Sequence, residues 1–404
     1  MKTILITAFS VQPYKVGEYG LDWNFIRQIA RYQKVIAITR NQNREAIEQC
    51  YNEYPDNFAN IQFLYYDAKA LISIKKIGII GSMLYYFIWQ IGVIGYIKRE
   101  KLSFDITHNL NFYFDWIPSF LWSLNKPFVW GPVGFQPKIP KQYLKNYNLK
   151  YYLIDRISWM AKNYFWNFSL SYYLAKNKAG HIIFTNDYAL ENVGKVDNYS
   201  FLTSVACQDN DWIDISNNAP FAIISAGRFV PLKGFDLGIE AFANFVETLP
   251  VHKKSMCHFT LIGEGPEEML LKKLAKDRNV DHLITFIPSM DQEFVSESFK
   301  KASVFIYPSH EGLGTLIADA LSFGLPIVCL KNVGPGRLVK SDYGIVVPQG
   351  DFDETVHQLS SALADIYFQT YKRRSMRIAA RKRFHSSFHW DIWGDQMAKI
   401  YAQM

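Results

Sequence analysis

VFIYPSHEGLGTLIADALSFGLP, from Val304 to Pro326, is the stretch whose reading decides the fold. Val304 to Tyr307 is a short apolar and aromatic run that reads as a buried parallel strand. Pro308-Ser309-His310-Glu311-Gly312 stops it, and Thr315 to Phe323 reads as a helix ended by Gly324. A strand leading through a loop to a helix N-terminus, beyond the carboxyl end of a parallel sheet, suits an anionic ligand. Gly312 and Gly314 let the backbone approach that ligand, and the first-turn N–H groups point at it. Glu311 stands just before the turn, and Asp319 shares a helical face with Thr315. Carboxylates suit polyol hydroxyls and main-chain N–H groups suit phosphate, so the two together fit a ligand that is both sugar and phosphate. The plain alternative is two solvated carboxylates.

Working outward, the strand Ala222 to Ala226 runs into Gly227-Arg228-Phe229-Val230-Pro231-Leu232-Lys233-Gly234 and then a helix from Phe235 to Phe245. Arg228 offers a bidentate fork and Lys233 a mobile point charge, a combination suited to a diphosphate. Gly234 and Phe235 follow Lys233 where a Walker loop has Ser or Thr. Phe259 to Ile262 and Ile284 to Ile287 read as further strands, and near Ile287 a peptide edge is available to a base. The basic run from Lys372 to Arg383 reads as a solvated helix face. Phe388, Trp390, Trp393 and Tyr401 anchor a final helix.

The first half repeats the alternation. Strands are expected at Lys2 to Phe9, Val35 to Thr39, Ile61 to Tyr65, Phe104 to His108 and Val129 to Gly134, with a glycine loop, Gly17 and Gly20, after the first. His108, taken as the end of its strand, is expected to face the crevice, where it could bond a sugar hydroxyl or move a proton. The polar segment Asp209 to Pro220 is the best domain boundary. Ile77 to Ile97 carries no charged residue and could reach across a hydrocarbon layer of about 30 Å. Its glycines and tyrosines, and the strand that resumes after it, favour a helix packed on the sheet with an apolar face open to a membrane surface. Ile139 to Tyr173 interleaves aromatic residues with lysines, which suits anionic lipid headgroups or, equally, a helix–helix core.

The whole chain of 404 residues fits two domains. A charged fraction of 20% and apolar fraction of 49% exclude disorder. The net charge of +7 is compatible with nucleic acid, anionic lipid or an acidic small substrate; no nucleic-acid recognition motif accompanies it. The four cysteines are isolated and read as reduced thiols of a cytosolic protein, and no secretion signal opens the chain.

GRFVPLKGFDLGIEAF, LIGEGPE, SHEGLGTLIADALSFGLPIV and NVGPGRLV, with HNL at His108 and WGPVG at Trp130, resemble family 4 glycosyltransferases that build bacterial surface polysaccharides such as capsule, exopolysaccharide or O-antigen. The resemblance implies the α/β GT-B fold, two Rossmann-like domains facing each other across a deep cleft. Residues 1–215 would bind the acceptor, 216–385 the nucleotide-sugar donor, and 386–404 would form a helix returning to the first domain. It implies retaining, metal-independent hexosyl transfer from a nucleotide-sugar, UDP more readily than GDP, to a sugar or lipid-linked oligosaccharide. Arg228 and Lys233 would hold the diphosphate and Glu311 the donor sugar. Gly312, Leu313, Gly314 and Thr315 would face phosphate or sugar, Asp319 would take the ribose-binding place usually held by Glu, and His108 and Gly17 would line the crevice. No cofactor is implied. The place of action would be the cytoplasm, at the inner face of the membrane. A nucleotide-sugar-binding scaffold, or an epimerase or glycogen-type transferase of the same fold, stays open on the sequence.

Overall fold

The computed structural model describes residues 1–14, 20–77, 79–110, 113–145, 147, 149–203, 205–213, 219–288 and 292–404. Gly17 of the expected glycine loop and residues 214–218, inside the expected boundary segment, lie outside the described residues. The chain divides into two units: unit 1 holds Met1–Phe135, Met160–Ser204 and Trp390–Met404, and unit 2 holds Gln136–Trp159 and Val205–His389. The segment 136–159, which the sequence groups with the first half, therefore packs with the second.

Unit 1 is built on a parallel sheet of β1 (Thr3–Ala8), β2 (Lys34–Thr39), β3 (Ile61–Tyr65), β4 (Ile106–Leu110), β5 (Phe128–Val133), β6 (His181–Phe184) and β7 (Tyr199–Phe201), ordered β3-β2-β1-β4-β5-β6-β7. Unit 2 has β8 (Phe221–Ala226), β9 (Cys257–Ile262), β10 (Ile284–Ile287), β11 (Val304–Tyr307), β12 (Ile327–Leu330) and β13 (Gly344–Val347), also parallel, ordered β10-β9-β8-β11-β12-β13. Both sheets reverse direction of winding once, between β1 and β4 and between β8 and β11. Loops that leave the strands at such a reversal diverge to opposite faces and open a crevice at the carboxyl edge.

Alternation along the strands divides the core of unit 2. Val304 and Ile306 enter one apolar cluster with Ile223 and Val328; Phe305 and Tyr307 enter another with Ile224 and Ile327. Helices cover both faces, as near-continuous apolar parallel strands require. In unit 1 the helix Ile79–Arg99 buries Tyr85, Tyr86, Trp89 and Val93 against Phe9, Leu5 and Ile38. The uncharged stretch thus packs on the sheet, and among the described residues no helix is long and apolar enough to cross a membrane.

The helix Trp390–Gln403 belongs to unit 1, where Trp393 lies 4.1 Å from Phe25 between ring centroids. The basic run differs from its expected solvated face. It forms the helix Thr370–Ser387, in which Arg377 is buried and donates to the carbonyls of Ala302 at 3.1 Å and Ile213 at 2.9 Å. Arg381 donates to Asp209 at 2.7 Å. Arg377 and Arg381, two of the seven basic residues of that run, are therefore structural stitching within unit 2.

Candidate functional site

At the reversal in unit 2, the loops after β8 and β11 are tied to each other before any ligand is considered. The carbonyl of Leu232 accepts from the backbone N–H of His310 at 2.8 Å and from the Ser309 hydroxyl at 3.2 Å. Pro231–Lys233 forms a tight 3-10 turn, and Gly234 then takes the left-handed conformation at φ 64° to open the helix Phe235–Glu247. A side chain at 234 would be strained by that φ, and its Cβ would sit 2.2 Å from the Pro308 carbonyl oxygen. This close approach of two backbones brings Lys233 to Glu311.

Lys233 and Glu311 form a direct ion pair, both nearly excluded from solvent at 7% and 5% exposure. The second carboxylate oxygen of Glu311 accepts from the Tyr307 hydroxyl at the end of β11, and the Lys233 ammonium lies 5.8 Å from the centre of the Tyr307 ring. A buried ion pair of this kind is costly to form and costly to break. It also holds a cation and a carboxylate ready at the crevice edge, available to exchange each other for a ligand's phosphate and hydroxyls.

The turn carrying Glu311 is pinned from a third direction. The side-chain amide of Gln136 donates to the carbonyl of His310 at 3.1 Å and accepts from the N–H of Gly312 at 2.8 Å, so it clamps the peptides on both sides of Glu311. Asn332 donates to the Ser309 carbonyl at 2.6 Å and accepts from the N–H groups of Gly334 and Gly336 at 3.2 and 3.0 Å. Behind these, His310 is buried against Tyr143, with ring centroids 4.7 Å apart, and burial lowers its imidazole to about 4. His310 is thus a neutral wedge near neutral pH. Sequence reading missed Gln136, Tyr307 and Asn332 as site residues; only the Asn332-Val333-Gly334-Pro335-Gly336 turn gave a signal.

The other expected site residues are distributed as follows. Arg228 lies in the same loop as Lys233 and is exposed. Gly312, Gly314 and Thr315 are buried and Leu313 half-buried at the start of the short helix Leu316–Ser322. Asp319, on that helix, is half-buried near the Cys207 thiol, and burial pushes its carboxyl up to about 7. Ile287 ends β10, and its carbonyl accepts from the N–H of Gly263 at 2.8 Å, which uses that edge inside the sheet turn. His108 corrects an expectation. Asn109 and Leu110 continue β4, so the histidine sits mid-strand, fully buried, not at a strand end facing the crevice. Its two ring nitrogens are held by the Tyr401 hydroxyl at 2.6 Å and the Gly131 carbonyl at 2.7 Å, and burial lowers it to about 4. Among the described residues no three His, Cys, Asp or Glu side chains converge to hold a metal ion.

Residues 208–383, which contain every unit 2 residue discussed above except Gln136, Tyr143 and Cys207, match the family described as "Glycosyl transferases group 1". That segment is similar to the group 1 glycosyltransferase domain. The lipopolysaccharide core biosynthesis glycosyltransferase LpsE of Rhizobium meliloti is 27% identical over 212 residues, 52% of this chain and 56% of the relative. A GDP-mannose-dependent monoacylated alpha-(1-6)-phosphatidylinositol monomannoside mannosyltransferase of Corynebacterium glutamicum is 25% identical over 181 residues, 43% of this chain and 45% of the relative. The chain spans about half the length of the curated relatives it matches. Among solved structures, Anabaena HepE in complex with UDP and glucose aligns over 100% of both chains at TM-score 0.64 and 13% identity. WaaG, a glycosyltransferase involved in lipopolysaccharide biosynthesis, aligns over 98% of this chain and 99% of its own at TM-score 0.64 and 15% identity. These likenesses establish the fold: two doubly wound α/β units of the GT-B type, with the group 1 domain as the second.

Proposed function

We propose that the chain is a retaining, metal-independent hexosyltransferase of polysaccharide biosynthesis. It moves a hexose or N-acetylhexosamine from a nucleotide-sugar to a sugar or lipid-linked oligosaccharide at the inner face of the cytoplasmic membrane. One observation carries the reading: the buried Lys233–Glu311 pair at the reversal of the group 1 domain's sheet. On donor binding the Lys233 ammonium leaves Glu311 for the diphosphate, where exposed Arg228 adds a second cation. Glu311, released from its ion pair, accepts hydrogen bonds from hydroxyls of the donor sugar. Charge that builds on the departing diphosphate is then met by Lys233, Arg228 and the amides of residues 313–315. The acceptor hydroxyl attacks from the face the phosphate leaves and passes its proton to the departing diphosphate oxygen as the C1–O bond to that oxygen breaks, which retains the anomeric configuration. His108, with both nitrogens engaged in the core of unit 1, serves as a structural support and is left out of proton transfer.

The HepE complexes with UDP support a UDP-sugar donor, whereas the Corynebacterium relative is named for GDP-mannose. Incubation with a panel of UDP- and GDP-sugars and a membrane lipid extract tests the reading, with product and anomeric configuration read by NMR. A new glycolipid with the donor's configuration is expected. An inverted product removes the same-face mechanism, and tight donor binding with no transfer to any acceptor makes the chain a binding scaffold.

A further inference from the structure

Between Gln136 and Tyr151 the chain touches four loops at the carboxyl edge of the unit 2 sheet in turn. Gln136 clamps the turn after β11. Tyr143, in the 3-10 turn Lys141–Leu144, donates to the carbonyl of Gly350 after β13 at 2.9 Å and lies 2.9 Å from the Thr355 hydroxyl. The Tyr147 hydroxyl hydrogen-bonds the carboxylate of Asp236, in the helix that follows β8 and Lys233. Tyr151, in the first turn of the helix Leu149–Phe168, hydrogen-bonds Glu267 in the loop after β9. Ile139, Tyr143 and Leu144 are buried in the apolar core of unit 2 and Tyr147 packs against it, so these side chains seat the segment firmly.

Asp236 and Glu267 are 3% and 6% exposed. Burial pushes the Asp236 carboxyl up to about 6, and the Tyr147 hydrogen bond pulls it back down. A buried carboxylate needs a donor in place of water, and each of these takes a phenol from the segment. The two phenol rings meet edge to face, with centroids 6.4 Å apart.

Each acid also sits beside a cation of the donor site. Asp236 lies in the first turn after the left-handed Gly234, three residues on from Lys233. Glu267 belongs to a loop zipped to the neighbours of Arg228. The N–H of Gly227 donates to the Ile262 carbonyl at 2.9 Å, that of Phe229 to the Glu264 carbonyl at 2.9 Å, and that of Glu267 to the Phe229 carbonyl at 3.2 Å. A Cβ at Gly263 or Gly265 would collide with the carbonyl oxygen of Gly227 or Phe229, so these two loops have no slack between them. What holds Asp236 therefore steadies Lys233, and what holds Glu267 steadies Arg228.

We propose that Tyr147 and Tyr151 are positioning residues for the donor diphosphate, which keep in place the two loops that present Lys233 and Arg228. They act through Asp236 and Glu267 and not on the ligand itself. Cations on loops already ordered bind a diphosphate without the entropy cost of ordering those loops. The inference rests on the donor-site reading given above.

Calorimetric titration of the full chain with UDP and with GDP tests it, in wild type, Tyr147→Phe, Tyr151→Phe and the double variant. Phe245→Leu is the control, a core change beside Phe221 at the amino end of β8 and so at the opposite edge of the sheet. The double variant is expected to bind the better of the two nucleotides about tenfold or more weakly than wild type, with the single variants in between, and to lose a few degrees in Tm. Phe245→Leu is expected to lose as much in Tm and to keep the wild-type Kd. A double variant with the wild-type Kd, or a control weakened as much as the double variant, overturns the positioning role and leaves the donor site standing. A wild type that binds neither nucleotide overturns the donor-site reading and this inference with it.

Discussion

Replacing Lys233 by Met keeps most of the buried stem and removes only the charge. Glu311 is then left at 5% exposure without the Lys233 ammonium, its carboxylate still accepting from the Tyr307 hydroxyl. Breaking a buried ion pair by deleting one partner costs about 3–5 kcal/mol, because the remaining charge has lost its compensation. For a unit of this size that lowers Tm by on the order of 10 °C. Adding Glu311→Gln removes the buried charge whose ammonium partner is gone and keeps an acceptor for Tyr307, so the double variant is expected to recover about 2 kcal/mol or more relative to Lys233→Met alone. The double-mutant cycle, measured by urea unfolding followed by circular dichroism, isolates the coupling. Both variants should also lose most turnover, since the ammonium is absent where the leaving diphosphate needs it. A Lys233→Met protein within about 0.5 kcal/mol of wild type, with additive effects in the double variant, would refute the claim that the pair is an energetic unit.

Gln136→Ala removes two hydrogen bonds of roughly 1 kcal/mol each from the peptides flanking Glu311. If that clamp positions the carboxylate for the reaction, kcat falls about tenfold to thirtyfold while Tm moves by only a few degrees; an unchanged kcat refutes the positioning role. Asp22, buried under the Tyr113 hydroxyl at 3.3 Å, has its carboxyl pushed up to about 8 by burial, with that hydrogen bond pulling the other way. The unfolded carboxyl loses its proton near pH 4 and the folded one only near pH 8, so its stabilisation is complete below pH 4 and is lost as pH rises towards 8. Asp22→Asn should therefore gain on wild type by up to ~1.4 kcal/mol per pH unit across that window, measured by urea unfolding; a difference independent of pH would show that the carboxyl is not buried.

The strand–loop–helix alternation of unit 2 is legible because each β-strand is a short apolar run and each loop at the carboxyl edge carries glycine. Lys233 and Glu311 stand out for the same reason: they are charged residues in loops that follow such runs. Gln136 does not, since it binds peptide groups 174 and 176 residues away and has no pattern of its own. In sequence β4 reads as ending at His108 because Asn109 looks like loop; in the sheet its amide donates to the Thr7 hydroxyl at 3.0 Å, which makes a buried asparagine tolerable mid-strand. Arg377 reads as solvated in a basic run and turns inward because backbone carbonyls, invisible in sequence, await it. The exposed apolar residues Leu149, Leu153, Ile157, Met160, Tyr164 and Phe168 recur at helical spacing, so periodicity alone reads them as a buried face.

The order in which the chain visits its two units bears on how it can be cut. It leaves unit 1 after Phe135, returns at Met160, leaves again after Ser204 and comes back at Trp390. No single scission yields either unit whole. An isolated fragment spanning 208–383 would carry the lysine and the glutamate but forfeit Gln136 and Tyr143. A chain clipped before its last helix would strip Tyr401 from His108 and open the middle of the other sheet to water.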